Sequence, residues 1–140
     1  EALKPSFQIY AKQILKNAKV LEKELKNYGF KIVFGQTDNH MVLIDVFSSK
    51  GITGKEAEVA LDEIGITINK NMIPDDARSP MDPSGIRIGV PAITTRGMKE
   101  KEVKQIAQWI NEAIKNRNNK SVLRKLHKEV IKLCKRFPLP

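Results

Sequence analysis

Apolar residues recur every three or four positions from residue 6 to 28. Phe7, Tyr10, Ile14, Ala18, Leu21, Leu25 and Tyr28 draw one stripe, which predicts a helix. Pro5 precedes it, and Gly29 can take the left-handed conformation that stops it. The period then shortens to two. Phe30, Ile32 and Phe34 alternate with Lys31, which predicts a strand, and Gly35 to Asn39 has the composition of a turn. Met41 to Phe47 is almost wholly apolar and β-branched, which predicts a central strand able to pair antiparallel with the first. Thr53-Gly54-Lys55-Glu56 fits a capping box, with a helix over 54–64 that buries Ala57, Ala60, Leu61 and Ile64 and ends at Gly65. Ile66 and Ile68 alternate about Thr67 as a short strand.

From Asn69 to Gly85 the periodicity disappears. Prolines stand at 74, 80 and 83 and acids at 75, 76 and 82, so the segment reads as a long structured loop, a kind of loop that often carries function. Ile86-Arg87-Ile88 follows as a strand bracketed by glycines and prolines. A helix is predicted over 98–115, with Val103, Ile106, Ala107, Ile110 and Ile114 on one side. A second, over 121–136, aligns Val122, Leu126, Val130, Leu133 and Phe137. The four-residue break at 116–119 makes these two an antiparallel pair. The resulting order predicts an α+β fold: a small, mainly antiparallel sheet with helices packed on one face. Residues 1–140 read as one domain with no repeat.

Charge changes this picture in one respect. Residues 1–95 hold 12 basic and 12 acidic side chains, whereas residues 96–140 hold 13 and 4, so the whole net charge of +9 lies in the last third. Such asymmetry suits a nucleic acid, an anionic surface, a protein partner or a solvated lysine-rich face. Nucleic-acid binding is the weaker reading, because Trp109 and Phe137 look like packing residues and not like stacking platforms among the lysines. No stretch has the length of a membrane span, and the first residues do not read as a secretory signal. The one cysteine, Cys134, fits a reducing compartment such as the cytoplasm. With two distant histidines it is poor material for a metal site.

Candidate chemistry centres on Arg87. Between two buried-looking isoleucines at the mouth of a Gly/Pro-rich loop, it is either an ordinary exposed strand arginine or a fork for a carboxylate or phosphate. Gly51 to Lys55 lacks the full phosphate-loop pattern and reads as a helix start. Asp75, Asp76 and Asp82 read as a polar turn, with a divalent-ion site as the alternative. Asp38-Asn39-His40 is a polar turn or a site wall. Arg96 either meets an anion or caps the segment before it.

Taken in order, Thr37-Asp38-Asn39-His40, residues 51–65 and 66–74, Arg78-Ser79-Pro80, Ser84-Gly85-Ile86-Arg87-Ile88-Gly89, Pro91-Ala92, Thr94-Thr95-Arg96-Gly97 and Leu133 to Pro138 resemble serine hydroxymethyltransferase. The resemblance is to the C-terminal small domain of a pyridoxal-phosphate (PLP) enzyme of the aspartate-aminotransferase fold class. It implies a longer protein whose large domain holds the Schiff-base lysine, and a fragment without catalysis of its own. It implies serine and glycine as substrates, a tetrahydrofolate or modified-pterin carrier, and a homodimer. By motif position, Arg87 would bind the substrate α-carboxylate, Asn71 would lie near the carrier, Ser84 would lie in the loop beside the substrate, and His40 would support the domain junction. The family usually reads Ser-Pro-Phe-Val-Thr-Ser-Gly before the arginine strand. Here Ser79-Pro80-Met81-Asp82-Pro83-Ser84-Gly85 stands instead, a change beside the carrier region.

Overall fold

A computed structural model describes residues 4–35 and 39–140. Helix α1 (Pro5–Asn27) opens the described chain, with its proline in the first turn, where no amide donor is needed. Strand β1 (Lys31–Ile32) follows, then a 3₁₀ turn over Val33–Gly35. β2 (Met41–Asp45) leads without a loop into α2 (Val46–Lys50), and α3 (Gly54–Glu63) follows. β3 (Asn69–Asn71) and β4 (Gly85–Gly89) are separated by a long loop. Helices α4 (Pro91–Thr95), α5 (Glu100–Lys115) and α6 (Lys120–Arg136) complete the fold.

The described strands form one sheet in the order β1-β2-β4-β3, antiparallel throughout. Its inner face pairs Val42 with Ile88 and Ile44 with Ile86, all buried. Each fully buried aliphatic side chain contributes about 1.5–3 kcal/mol. A one-residue slip of either strand would turn that strand's two side chains to solvent, so burial fixes the register. Leu21 and Leu25 from α1, Leu61 from α3, Val103 and Ile110 from α5, and Leu126 and Leu133 from α6 close over this face as one core. The small α+β fold with helices on one face of an antiparallel sheet matches the sequence expectation, including the β1–β2 pair.

Local elements depart from it. The first strand stops at Ile32, because Phe34 turns out of the sheet at φ 63° and is 83% exposed. The second stops at Asp45, whose carboxylate accepts from the Ser48 amide (3.0 Å) and hydroxyl (2.5 Å) and so starts α2. The expected Ile66–Ile68 strand is displaced to Asn69–Asn71. There the Ile86 and Arg87 backbone offers a partner, and Glu58 Oε2 on α3 accepts from the outward-facing Lys70 amide at 3.0 Å. The segment from 69 is therefore a polar edge strand before it is a loop. α4 is an unforeseen turn of helix, and α5 begins two residues later than expected. Gln36 to Asp38 of the expected turn lie outside the described residues.

Candidate functional site

The outer face of the sheet is built around Arg87. Cross-strand pairing sets Leu43 of β2 on one side of it and Asn69 of β3 on the other. Two residues away along β4, on the same face, stand Gly85 and Gly89. The arginine thus rises from a floor whose own strand contributes no other side chain. It is exposed, and among the described residues nothing hydrogen-bonds or ion-pairs with its guanidinium. Five N–H donors in a rigid fork stand open, with apolar Ile86 and Ile88 anchoring the strand beneath.

One end of this face is walled by the β3–β4 loop, which Asp76 organises. Its carboxylate accepts from the Ser84 amide (2.9 Å) and hydroxyl (2.7 Å), the Arg78 amide (2.9 Å) and the Ile73 amide (3.3 Å). Burial opposes its charge. The Ser84 and Arg78 donors and the more distant Ile73 amide outweigh that and hold the carboxyl at about 2, below the ordinary 3.8. A Cβ on Gly85 would come within 2.7 Å of both the Asn71 carbonyl oxygen and Ile73 Cγ2. Ile73 therefore fills the place a side chain would take beside Arg87.

The loop is also tied to the helices behind it. The Gly54 amide donates to the Pro83 carbonyl (2.7 Å) and the Phe47 amide to the Ser84 carbonyl (3.1 Å). Arg78 lies over the Phe47 ring at 4.9 Å and pairs with Asp82 at 2.9 Å. The Thr53 hydroxyl and then Arg78 hold the Asp82 carboxyl below its usual range, against the opposing effect of burial.

The site residues expected from the sequence fall into three places. Arg87 and Asn71 share the outer face, Asn71 pairing with Gly85 and donating from Nδ2 to the Met72 carbonyl at 2.8 Å. Ser84 is buried, its hydroxyl engaged by Asp76. His40 is exposed at the opposite end of β4, where its carbonyl accepts from the Val90 amide at 3.1 Å. It is not brought together with Ser84. Thr53 caps α3 by accepting from the Glu56 amide at 3.2 Å, so residues 51–55 are a helix start. Arg96 donates to the Phe137 (2.7 Å) and Cys134 (2.9 Å) carbonyls and closes the end of α6.

Sequence reasoning does not find Ile73, and it reads Asp76 only together with Asp75 and Asp82, as a polar turn or a divalent-ion site. Its separation of eight residues from Ser84, at the start of a strand, is the one signal that marks it. Among the described residues no cluster of three metal-ligating side chains occurs, and no described helix is long and apolar enough to cross a membrane. The basic side chains of α6 are solvent-exposed, while Trp109 is buried and donates to Glu129 at 2.9 Å. That leaves α6 without an aromatic platform for bases.

Comparison with known proteins places these features in a wider frame. A family model described as serine hydroxymethyltransferase matches residues 1–110. A protein of Acidobacterium capsulatum called serine hydroxymethyltransferase is 57% identical over 139 residues, which is 99% of this chain and 32% of that protein. One of the same name from Koribacter versatilis is 52% identical over 139 residues, again 99% of this chain and 32% of the relative. The chain spans about a third of the length of these curated relatives.

Proposed function

The chain belongs to the serine hydroxymethyltransferase family, and from that premise we propose that it is the C-terminal small domain of a PLP-dependent enzyme. In this reading the full-length protein interconverts serine and glycine, passes one carbon to a tetrahydrofolate-like or modified-pterin carrier, and works as a cytoplasmic homodimer. Within it the domain has the small-domain fold of aspartate-aminotransferase-like enzymes.

The described residues do not fit a seat for the cofactor. A Schiff-base lysine is desolvated so that its amine is neutral, and no described lysine is buried. We therefore assign PLP to the part of the protein outside this chain and derive no step through it.

What this chain contributes is the grip on the amino acid. The observation that carries the reading is Arg87: exposed, unpaired among the described residues, and flanked along its strand face by two glycines. Along β4 itself no side chain stands between an incoming carboxylate and the fork. Two parallel N–H···O bonds then fix its plane as well as its position, which orients the bond to be broken. Asn71, on the same face and one strand over, serves the carrier side of the site. Ser84 and His40 support its two ends.

Arg87→Lys tests this in the full-length enzyme. A point charge cannot reproduce the fork, so kcat/KM for serine falls by about 100-fold or more while the unfolding midpoint of the protein stays within about 2 °C. Serine kinetics within a factor of about three of the parent would refute the role.

A further inference from the structure

We propose that Asp76 is the positioning residue of the carboxylate clamp, acting through the β3–β4 loop on the strand that carries Arg87. This rests on the reading of Arg87 given above and adds to it the device that holds the fork in place.

Three observations converge on it. First, the four donors on Asp76 come from three separated points, Ile73, Arg78 and Ser84. One carboxylate therefore closes the loop from its first turn to the residue that enters β4. Second, Ser84 is followed directly by Gly85, the first residue of β4, with Arg87 two further on. The hold on Ser84 thus reaches the arginine through three bonded residues of extended backbone. Third, Ile73 is the side chain that occupies the space over Gly85, on the face of Arg87. Asp76 consequently fixes both the strand entering the site and the apolar wall over Gly85.

Other ties on the loop do not involve this carboxylate. They include the backbone bonds from Gly54 to Pro83 and from Phe47 to Ser84, the Lys70 ammonium on the Met81 carbonyl at 2.9 Å, and the Arg78 contacts with Asp82. Loss of Asp76 therefore leaves the strand paired but lets its first residues and Ile73 shift. A bidentate contact is sensitive to displacements of a fraction of an ångström. Such a change weakens recognition of the carboxylate before it unfolds anything. The carboxyl's ionisation at all ordinary pH values agrees with a fixed role and not a titrating one.

The test compares glycine with glycinamide, which matches it in shape but lacks the anion. Dissociation constants of both are measured calorimetrically on full-length enzyme carrying Asp76→Asn, Arg87→Lys or both. Asparagine keeps the size but replaces one acceptor oxygen by a donor. The expected result for Asp76→Asn is a roughly tenfold loss of the preference for glycine over glycinamide. Serine KM rises about tenfold with kcat within about threefold. In the Arg87→Lys background, Asp76→Asn adds less than about twofold, because both act on one contact.

A preference unchanged in Asp76→Asn but lost in Arg87→Lys overturns the role of Asp76 and leaves the clamp standing. A preference unchanged in Arg87→Lys overturns the clamp itself. If Asp76→Asn does not fold, Ser84→Ala removes the single 2.7 Å hydroxyl bond. An approximately threefold loss of the same preference supports the proposal, and no loss overturns it.

Discussion

Replacing Gly54 by alanine should destabilise this domain, although the usual rule for helices gives the opposite sign. Within a solvated helix alanine is favoured over glycine by about 1 kcal/mol, and Gly54 is the first residue of α3. Here, however, a Cβ would stand 2.3 Å from the Gly85 carbonyl oxygen and 3.0 Å from that of Pro83. Both contacts are backbone, so no side chain can swing away. The helix must retreat from the loop by roughly 1 Å, which strains or breaks the 2.7 Å bond from the Gly54 amide to Pro83.

Overpacking costs about 1–3 kcal/mol, and the lost hydrogen bond about 1 kcal/mol more. The net effect, after the helix propensity gain of about 1 kcal/mol, is a loss of about 1–3 kcal/mol. Urea unfolding followed by circular dichroism measures it. With a slope of about 1.5 kcal/mol/M, the midpoint drops by roughly 0.7–2 M. Gly51→Ala is the control. Nothing lies within 4 Å of its Cβ, but its φ is +67°, so its cost of about 1 kcal/mol is conformational alone. An unchanged or raised midpoint for Gly54→Ala would refute the close approach of α3 to the loop.

Two further outcomes can be checked on the same chain. Asn17 is fully buried and donates from Nδ2 to Thr94 Oγ1 (2.9 Å) and the Met98 carbonyl (3.1 Å), so Asn17→Ala should lower stability by about 2 kcal/mol in urea unfolding. Asp76, whose pKa is lowered on folding, contributes stability that is complete above its unfolded value near 3.8 and is lost as pH falls toward about 2. Discounted for its partial exposure this is about 1 kcal/mol. In Asp76→Asn the decline in stability between pH 4 and pH 2 should be shallower than in the parent, and an equally steep decline would contradict the assignment.

The parts of the fold that could be read in advance are those where burial imposes a period. The stripe of α1, the Thr53 cap of α3 and the paired isoleucines about Arg87 each follow from which side chains must leave water. The parts that could not are held by polar groups. Asn69-Lys70-Asn71 has no apolar alternation, because an edge strand with one face open to solvent and Glu58 on its outer amide does not need it. Asp45 ends a strand that hydrophobicity alone would extend to Phe47. Its bonds to Ser48 show as a cap only once the chain is known to turn there.

The site divides the same way. Arg87 stands out because its neighbours are apolar and its strand is short, and the order of motifs around it carried the family resemblance that the comparisons support. The hub at Asp76 joins residues up to eleven positions apart, Ile73 to Ser84, mostly through contacts to backbone amides. Such contacts leave no periodic trace, so a cluster of three acids looked like an undifferentiated polar turn. The resemblance puts Ser84 in the loop beside the substrate, and its burial with its hydroxyl on Asp76 leaves no periodic trace either.

A crystal structure of the full-length enzyme with glycine bound shows directly whether Arg87 receives the substrate carboxylate. Two parallel contacts of about 2.9 Å are expected from the Arg87 guanidinium to the two carboxylate oxygens, with Gly85 and Gly89 below and Ile73 beside them. A glycine carboxylate held by other groups, with Arg87 still extended into solvent, would contradict that expectation.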